Sequence, residues 1–208
     1  MDDPIREFDD KAATWDDDPA KGERAEAVAR LLLARIAPDP AAEVLDYGAG
    51  TGLLGFALAP RVGRVTFADP SEGMLEVLRR KLAERPGVEG RTLALDPDHP
   101  RIEGRYDLIA SLMTLHHVPD VQAALEHFFE HLRPGGWLAL CDLDTEDGSF
   151  HDGAGGVHHG FDRSDLAARL RRCGLEEVAV EDAWEIVARK EDGERRYPLF
   201  LARGRRPA

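Results

Sequence analysis

The sequence predicts an α/β fold in which helices cover both faces of a mostly parallel sheet. Short apolar runs alternate with longer helical patterns, and this alternation is typical of βαβ units. The runs are brief and apolar throughout, as expected for strands that are covered on both faces. The 208 residues, of which 43% are hydrophobic and 32% are charged, fit a single globular domain with a substantial core.

Seven apolar runs predict the strands of this sheet. The last two flank Asp192 and Gly193, a dipeptide typical of tight hairpin turns, so we expect the final two strands to form an antiparallel hairpin separated by Arg189–Glu194. The other five are expected to be parallel. The predicted strands are Glu43–Tyr47, Arg64–Ala68, Arg91–Leu95, Tyr106–Ser111, Gly136–Leu143, Glu176–Val187 and Arg196–Arg203.

Capping residues and turns mark the predicted helices and loops. Ser71 and Asp120 each precede a helical pattern, where their side chains can accept a hydrogen bond from the first turn. The turn Pro134–Gly136 ends the helix that follows Asp120. The Gly- and Asp-rich stretch Asp144–Gly160 predicts a long loop. The predicted helices are Gly22–Ile36, Leu53–Ala59, Ser71–Glu84, Val121–Leu132 and Ser164–Cys173.

Charge and composition argue against several classes of function. The 40 acidic and 27 basic residues give a net charge of −13, which repels a phosphate backbone, so no nucleic-acid partner is expected. No apolar run reaches the roughly 18 residues of a spanning helix, so no membrane insertion is expected. The lack of a signal-peptide pattern and the presence of only two cysteines, Cys141 and Cys173, predict a cytoplasmic protein with free thiols. We expect a monomer or a homodimer.

The strongest motif is Asp46–Gly52, DYGAGTG, where the first strand meets the next helix. Glycine permits the positive φ of a tight turn and a close approach of a ligand to the backbone. The dinucleotide-binding fingerprint places its third glycine where this chain has Leu53, and no Gly-Lys-Ser/Thr follows for a Walker-type phosphate loop. Asp69, at the end of the second strand, can accept hydrogen bonds from both hydroxyls of a ribose. The pattern therefore favours a nucleoside without a diphosphate.

These motifs resemble those of the class I S-adenosylmethionine-dependent methyltransferases, whose first motif is similar to Asp46–Gly52. Further stretches are similar to the family's later motifs in the same order along the chain. The resemblance implies a Rossmann-like, seven-stranded α/β domain. The later stretches are Ala68–Leu75, Leu95–Pro97, Tyr106–Ser111 with Leu115–Asp120, and Leu132–Leu138.

The beginning of the chain carries a finer resemblance. Phe8-Asp9-x-x-Ala12-x-x-Trp15-Asp16 is similar to the opening segment of the ubiquinone/menaquinone-biosynthesis-type branch of small-molecule methyltransferases, where this segment folds over the cofactor. This implies a single domain in two parts. Residues 1–37 are expected to form an N-terminal helical lid, and residues 38–208 are expected to bind S-adenosylmethionine.

The resemblance implies S-adenosyl-L-methionine as the cofactor and gives a role to each matching residue. Asp46 would anchor the ammonium group, directly or through water, and Asp69 would hold the ribose. Met74 would lie against the adenine or ribose face, Asp96 would accept from the adenine amino group, and Ser111 would border the sulfonium. The implied cofactor-binding set is Asp46, Gly48, Ala49, Gly50, Gly52, Asp69, Pro70, Ser71, Met74, Asp96, Pro97, Ser111 and Leu112.

The implied reaction is in-line methyl transfer to a small-molecule acceptor. Alignment of the reactants can supply about 7–11 kcal/mol in favourable cases, so a base is needed only if the acceptor must lose a proton. His117, His151 and His158 are candidate catalytic groups because an imidazole pKa of about 6.5 suits a base; the alternative is that the loop histidines are merely solvated. His116 and Trp15 would contact the acceptor, or else fix a loop and anchor the N-terminal segment.

No metal site is expected. His127–His131 matches the His-x-x-Glu-His pattern of a metalloprotease family. However, the apolar stripe of this helix leaves His127 and Glu130 pointing away from the core, and no third ligand follows. The acidic metal ligand of catechol-type methyltransferases is replaced here by Ser111, which argues against magnesium.

Two alternatives to a methyltransferase stay open. A non-catalytic S-adenosylmethionine- or nucleoside-binding regulatory protein would keep the cofactor site without an acceptor pocket. An NAD-dependent oxidoreductase on a related fold is disfavoured by the glycine spacing.

Overall fold

The computed structural model describes residues 4–96, 100–153, 155–190 and 193–208. Its strands are β1 Glu43–Tyr47, β2 Arg64–Asp69, β3 Gly90–Ala94, β4 Tyr106–Leu112, β5 Leu132–Leu143, β6 Glu176–Lys190 and β7 Gly193–Arg205. Its helices are α1 Pro4–Lys11, α2 Pro19–Ile36, α3 Leu53–Leu58, α4 Glu72–Ala83, α5 Val121–His131 and α6 Arg163–Arg172. Short 3-10 turns occupy Ala12–Asp17, Ala59–Arg61 and Leu115–His117.

The seven strands form one sheet in the order β3-β2-β1-β4-β5-β7-β6. The pairs among β1 to β5 are parallel, whereas β7 runs antiparallel to both β5 and β6. The carboxyl ends of the parallel strands therefore meet at one edge, which is where open α/β sheets bind ligands. This topology confirms the predicted α/β fold and the antiparallel final hairpin.

Two apolar cores lie on opposite faces of the sheet, because successive side chains of a strand point to opposite sides. Leu45 and Ile109 pack with Phe128 of α5 on one face. Val44 and Leu108 pack on the other face in the core that includes Val28 and Leu32 of α2. Helices thus cover both faces, as predicted.

The beginning of the chain divides into two structural parts. In α2, which begins at Pro19 rather than at the predicted Gly22, Asp18 caps the first turn by accepting from Ala20 N at 3.0 Å. Proline at the first helical position suits this start, because its missing N–H would have no helical partner. Helix α2 packs against one face of the sheet, whereas α1 and the turn Ala12–Asp17 contact α4. The domain division at residue 37 stays a prediction.

Two details of the strand predictions were wrong. The strands of the hairpin extend further than predicted, since Arg189 pairs with Glu194 and Lys190 pairs with Gly193; Asp192 lies outside the described residues. The predicted turn Pro134–Gly136 lies inside β5, where the pairing of β4 with β5 shifts register between the pairs Tyr106–Leu132 and Leu108–Trp137. Gly135 allows it, because its φ of +77° lies in the left-handed region that favours glycine.

Both cysteines are free thiols among the described residues, as predicted. None of the helices in the described ranges combines the length and the apolar character needed to cross a membrane.

Candidate functional site

The glycine-rich turn after β1 lies at the carboxyl edge of the sheet. Gly48, Gly50 and Gly52 have φ of +70°, +54° and +89°, the left-handed region that favours glycine. A Cβ on Gly48 would lie 2.1 Å from Cγ2 of Thr114, so any side chain at this position would force Thr114 to shift. A Cβ on Gly50 would find its nearest neighbours at 3.9 Å or more, at Met74 and Trp15. The turn is therefore packed against Thr114, just after β4, at Gly48 and faces open space at Gly50.

The turn Gly48–Gly52 and two buried carboxylates, Asp46 and Asp69, together form what we call the cradle. Asp69 Oδ2 accepts from Gly50 N at 2.7 Å, and its Oδ1 accepts from Ser71 N at 2.8 Å. Burial raises the pKa of Asp69, and these two N–H donors partly oppose the rise. Each carboxylate oxygen keeps a further lone pair, so Asp69 can still accept from ligand hydroxyls.

Asp46 lies deeper, at the end of β1. Its Oδ2 accepts from Gly55 N at 2.8 Å, and the residue is 1% exposed. Burial, with a smaller contribution from the Asp69 charge, raises the pKa of Asp46 to about 7. A cation that binds beside it would favour the ionised form.

The N-terminal segment, α1 and the turn Ala12–Asp17, passes over this cradle. Side-chain hydrogen bonds hold it on both sides. Asp9 Oδ1 accepts from Ser71 Oγ at 2.6 Å and from Gly73 N at 2.9 Å. Asp16 accepts from Thr51 Oγ1 at 2.5 Å and from Lys81 Nζ at 2.7 Å. These contacts join the segment to the glycine-rich turn and to α4.

Trp15 lies between these two fastenings. Its indole nitrogen is 4.0 Å from the position of a Cβ on Gly50, and the Lys21 ammonium lies 3.7 Å from its ring centroid. The Phe8 ring packs edge-on against both Trp15, at 5.9 Å, and His117, at 5.3 Å. The segment therefore covers the cradle and reaches the end of β4.

At β4 the side chains mainly join neighbouring strands. Ser111 Oγ donates to Tyr47 O at 2.8 Å, and Thr114 Oγ1 donates to Gly48 O at 3.2 Å. Met113 follows the strand with a φ of +56°, which is uncommon for a residue other than glycine. These contacts set Ser111 and Leu112 beside the glycine-rich turn.

His116 and Asp142 form a buried pair between β5 and the 3-10 turn after β4. His116 Nδ1 lies 2.7 Å from Asp142 Oδ1, and the two residues are 1% and 0% exposed. His158 N donates to His116 O at 2.8 Å, and His158 Nε2 lies 3.0 Å from Val118 O. One ring nitrogen of His158 is therefore engaged with the backbone, which supports a role in holding the long loop.

His117 and His151 pack against each other, with ring centroids 5.1 Å apart. Burial and the neighbouring imidazoles lower the pKa of His117 to about 3, and the same two causes lower the pKa of His151. Both rings are therefore neutral at physiological pH. A neutral imidazole of low pKa is a weak base but an effective hydrogen-bond partner or ligand.

The remaining predicted residues are spread around the cradle. Ala49 N donates to Ala68 O at 3.0 Å, Met74 is buried beneath the turn, and Pro70 is half-buried. Asp96 is exposed after β3, and Pro97 lies outside the described residues.

The His-x-x-Glu-His pattern on α5 is occupied by local contacts. His127 Nε2 accepts from Ile102 N at 3.2 Å, and His131 Nδ1 lies 2.7 Å from Gly104 O. Glu130 has a side-chain exposure of 75%. Local contacts therefore engage one ring nitrogen of each histidine, and the absence of a zinc site here stays a prediction.

Two residues of the site were not predicted. Asp142 orients His116, and the signal for it was a carboxylate inside the otherwise apolar run WLALCDL. Thr114 closes the glycine-rich turn, and nothing in the local sequence distinguishes it.

Comparisons with known proteins agree with this geometry. Residues 21–180 match the family model described as a methyltransferase domain. A ubiquinone biosynthesis O-methyltransferase from Xanthomonas campestris pv. campestris is 33% identical over 180 residues, which cover 78% of this chain and 75% of that protein. The chain spans only 27% and 44% of the length of two further curated relatives that it matches.

Solved structures share the fold. The chain that is paired with the Trm112 methyltransferase activator in a complex from Haloferax volcanii has a TM-score of 0.78 at 22% identity, covering 97% of this chain and 98% of that one. Phosphoethanolamine N-methyltransferase 2 from Haemonchus contortus, solved with S-adenosyl-L-methionine, has a TM-score of 0.71 at 14% identity, covering 86% of this chain and 52% of that one. The family model matches residues 21–180, well over half of this chain. The chain therefore belongs to the methyltransferase domain family, within the class I S-adenosylmethionine-dependent methyltransferases.

Proposed function

We propose that this protein is an enzyme that transfers a methyl group from S-adenosylmethionine to a small-molecule acceptor by in-line displacement. The observation that carries the proposal is the cradle itself. A buried carboxylate, Asp69, accepts a hydrogen bond from Gly50 N in a turn whose three glycines have left-handed φ, and the hydrogen-bonded segment that bears Trp15 covers this turn. This combination suits a nucleoside that carries a positive charge.

In this proposal, different residues of the cradle bind different parts of S-adenosylmethionine. S-adenosylmethionine supplies a methyl group on a sulfonium centre when it is bound. Asp46 holds the ammonium group and Asp69 the ribose hydroxyls, while the turn Gly48–Gly52 leaves room for the methionine part. Met74 lies against the adenine or ribose, and Ser111 with Leu112 borders the sulfonium. Pro70, Ser71, Asp96 and Pro97 complete the adenosine side.

The N-terminal segment acts as a lid in this proposal. Residues 1–37 form the lid part and residues 38–208 the cofactor-binding part of one domain, with the fastenings at Asp9 and Asp16 holding the lid closed. Closing a lid excludes water from the reacting atoms. The acceptor then lies between Trp15 and the histidines after β4.

We expect His117 and His151 to contact the acceptor but not to act as a general base that takes up its proton. With a pKa of about 3, His117 cannot hold a proton at neutral pH, and His151 is shifted in the same direction. The acceptor therefore reacts through an atom that is already nucleophilic or ionised, and His117, His151 and His158 line the place where it binds. The protein works in the cytoplasm, as a monomer or homodimer, with neither a nucleic acid nor a membrane as its partner.

The test is calorimetric titration of the full chain with S-adenosylmethionine, S-adenosylhomocysteine and NAD. We expect Kd values of the order of 1–10 μM for both adenosyl ligands, as is common for small ligands. Asp69→Asn should weaken both by about 100-fold, because it removes an ionised acceptor from a buried site. Asp17→Asn, at an exposed acid of the same lid, is the matched control. Binding of NAD alone would contradict the proposal and favour an oxidoreductase.

Turnover separates the enzyme from a non-catalytic binder. We expect S-adenosylhomocysteine to form when the protein is incubated with S-adenosylmethionine and a fractionated small-molecule extract, and this formation should be lost in Asp69→Asn. Tight cofactor binding without turnover in any fraction would favour the regulatory alternative.

A further inference from the structure

We propose that His116, His117 and His151 form a site for a divalent first-row transition metal, of which Zn²⁺ is the prototype. The three residues come from the 3-10 turn after β4 and from the long loop after β5. One ligand atom from each lies within 4.8 Å of the others, and the ring centroids are 4.2, 5.0 and 5.1 Å apart. Nothing in the family resemblance assigns a metal to these positions.

The orientation of His116 is the first support. Its Nδ1 is held 2.7 Å from Asp142 Oδ1, and this buried carboxylate also accepts from Leu143 N at 2.7 Å. A metal-bound histidine commonly donates its second ring nitrogen to a carboxylate, which fixes its tautomer and its ring plane. The pair thus leaves His116 Nε2 as the atom for a metal.

The second observation that supports a metal site is the unpaired ring nitrogen of His151. Its Nε2 is shielded from solvent and has no hydrogen-bond partner among the described residues. Leaving a buried polar atom unpaired costs about 1–3 kcal/mol, so such an atom calls for an explanation. A metal ion bound at this nitrogen would satisfy it.

A carboxylate lies behind the cluster. Asp142 is 0% exposed, and its Oδ1 lies 2.7 Å from His116 Nδ1. An ion bound to the three imidazoles would therefore have this carboxylate bonded to one of its ligands, as is common at metal sites.

The ligand type and the spacing narrow the choice of ion. Imidazole nitrogen suits zinc, nickel, copper and cobalt, whereas magnesium and calcium prefer oxygen. Three nitrogens at about 2.05 Å from a tetrahedral zinc lie about 3.4 Å apart, so nitrogens that are up to 4.8 Å apart must approach by up to about 1.4 Å on binding. Three protein ligands leave a fourth position open, which is the arrangement of zinc sites that bind a further molecule.

The experiment uses the untagged full chain, freed of metal with a chelator and titrated with Co²⁺ and then Zn²⁺. We expect one Co²⁺ per chain, visible absorption bands of a four- or five-coordinate ion, and displacement by Zn²⁺. His117→Ala and His151→Ala should each weaken binding by about 100-fold or more, because each removes one of three ligands. His159→Ala, at an exposed histidine of the same loop, should change it less than twofold.

Further variants keep the test decisive. Asp142→Asn should weaken Co²⁺ binding by about 10–100-fold and shift the absorption bands, as expected for a residue that positions a ligand. Thermal unfolding of each variant shows whether it is folded. Absence of the bands at millimolar Co²⁺, or binding that is lost in His127→Ala but kept in His117→Ala, would overturn the proposal. A parallel S-adenosylmethionine titration shows separately whether the cofactor site is intact.

Discussion

The two halves of the sheet's carboxyl edge are built on different principles. At β1 and β2, backbone N–H groups and the carboxylates of Asp46 and Asp69 form the cradle. At β4 and β5, imidazoles and a long loop form the surface, with Asp142 as the buried anchor. The first half depends on backbone geometry, and the second depends on side chains that meet across the fold.

The difference appears in the sequence separation of the contacts. Asp46 bonds to a residue 9 positions away, and Asp69 bonds to residues 2 and 19 positions away. His116 meets Asp142 across 26 positions, and His158 meets Val118 across 40 positions. A contact made within one βαβ unit leaves a readable motif, whereas a contact between distant elements leaves only single residues. The cofactor half is therefore the easier one to predict from the sequence.

The largest expected effect concerns the backbone of the cradle. Gly48→Ala should lower the free energy of unfolding by about 2–4 kcal/mol and abolish cofactor binding, because the new Cβ meets Thr114 at 2.1 Å with a left-handed φ. Gly50→Ala is the matched control: its φ is also left-handed, but it has open space, so only about 1–2 kcal/mol should be lost. Urea unfolding of the two variants measures both values. Equal losses would mean that Thr114 moves aside and that the two halves are not rigidly joined.

The next effect concerns the anchor of the other half. Asp142→Asn should lower the free energy of unfolding by about 2 kcal/mol, since it weakens a buried hydrogen-bonded pair with His116. The Kd for S-adenosylmethionine should change less than threefold, because Asp142 lies outside the cradle. Urea unfolding and calorimetry on one protein preparation give both numbers. A large loss of cofactor affinity would show that the halves act as one unit.

Much of the fold and of the cofactor half was predictable from the sequence. The strand that leads into DYGAGTG, the acidic residue that ends β2 and the cap at Ser71 are local patterns with a direct physical cause. The limits of β5 were less predictable, because Gly135 looks like a turn but lies in a strand irregularity that the neighbouring strand stabilises.

The arrangement of side chains in the half at β4 and β5 could not be predicted from the sequence, for a physical reason. His116, His117 and His151 gave three separate signals, and only the folded chain brings their rings within about 5 Å of one another. Asp9 and Asp16 belonged to a readable motif, but their partners on α4 and in the glycine-rich turn depend on the path of the lid. Sequence patterns report local geometry and cannot report which distant elements meet.

The third prediction uses pH to test the cradle alone. The pKa of Asp46 is raised to about 7 by burial, so the ionised form that would bind the ammonium group increases between pH 6 and pH 8. The affinity for S-adenosylmethionine should therefore rise about tenfold over this range. Calorimetry at several pH values measures it, and Asp46→Asn should remove the rise.

The raised pKa of Asp46 also affects the stability of the ligand-free protein. This stability should fall with rising pH, whereas the cofactor affinity should rise. A carboxyl whose pKa is raised on folding binds its proton more tightly in the folded state, so its contribution to stability is lost as the pH rises from about 4 to about 7. The free energy of unfolding of the wild type should fall relative to Asp46→Asn over this window. A constant difference would show that Asp46 is ionised throughout.

The smallest effect is expected at the outer rim of the cradle. Asp96 is exposed after β3, where water competes for its hydrogen bonds, so Asp96→Ala should weaken S-adenosylmethionine binding only about threefold. S-adenosylhomocysteine should lose the same factor, because Asp96 would contact the adenine that both ligands share. Calorimetric titration with the two ligands measures both losses. A loss above about 100-fold would mean that the segment after β3 closes over the adenine when the ligand binds. The cofactor half would then depend on a moving segment as well as on its rigid turn, and the contrast between the two halves would be weaker.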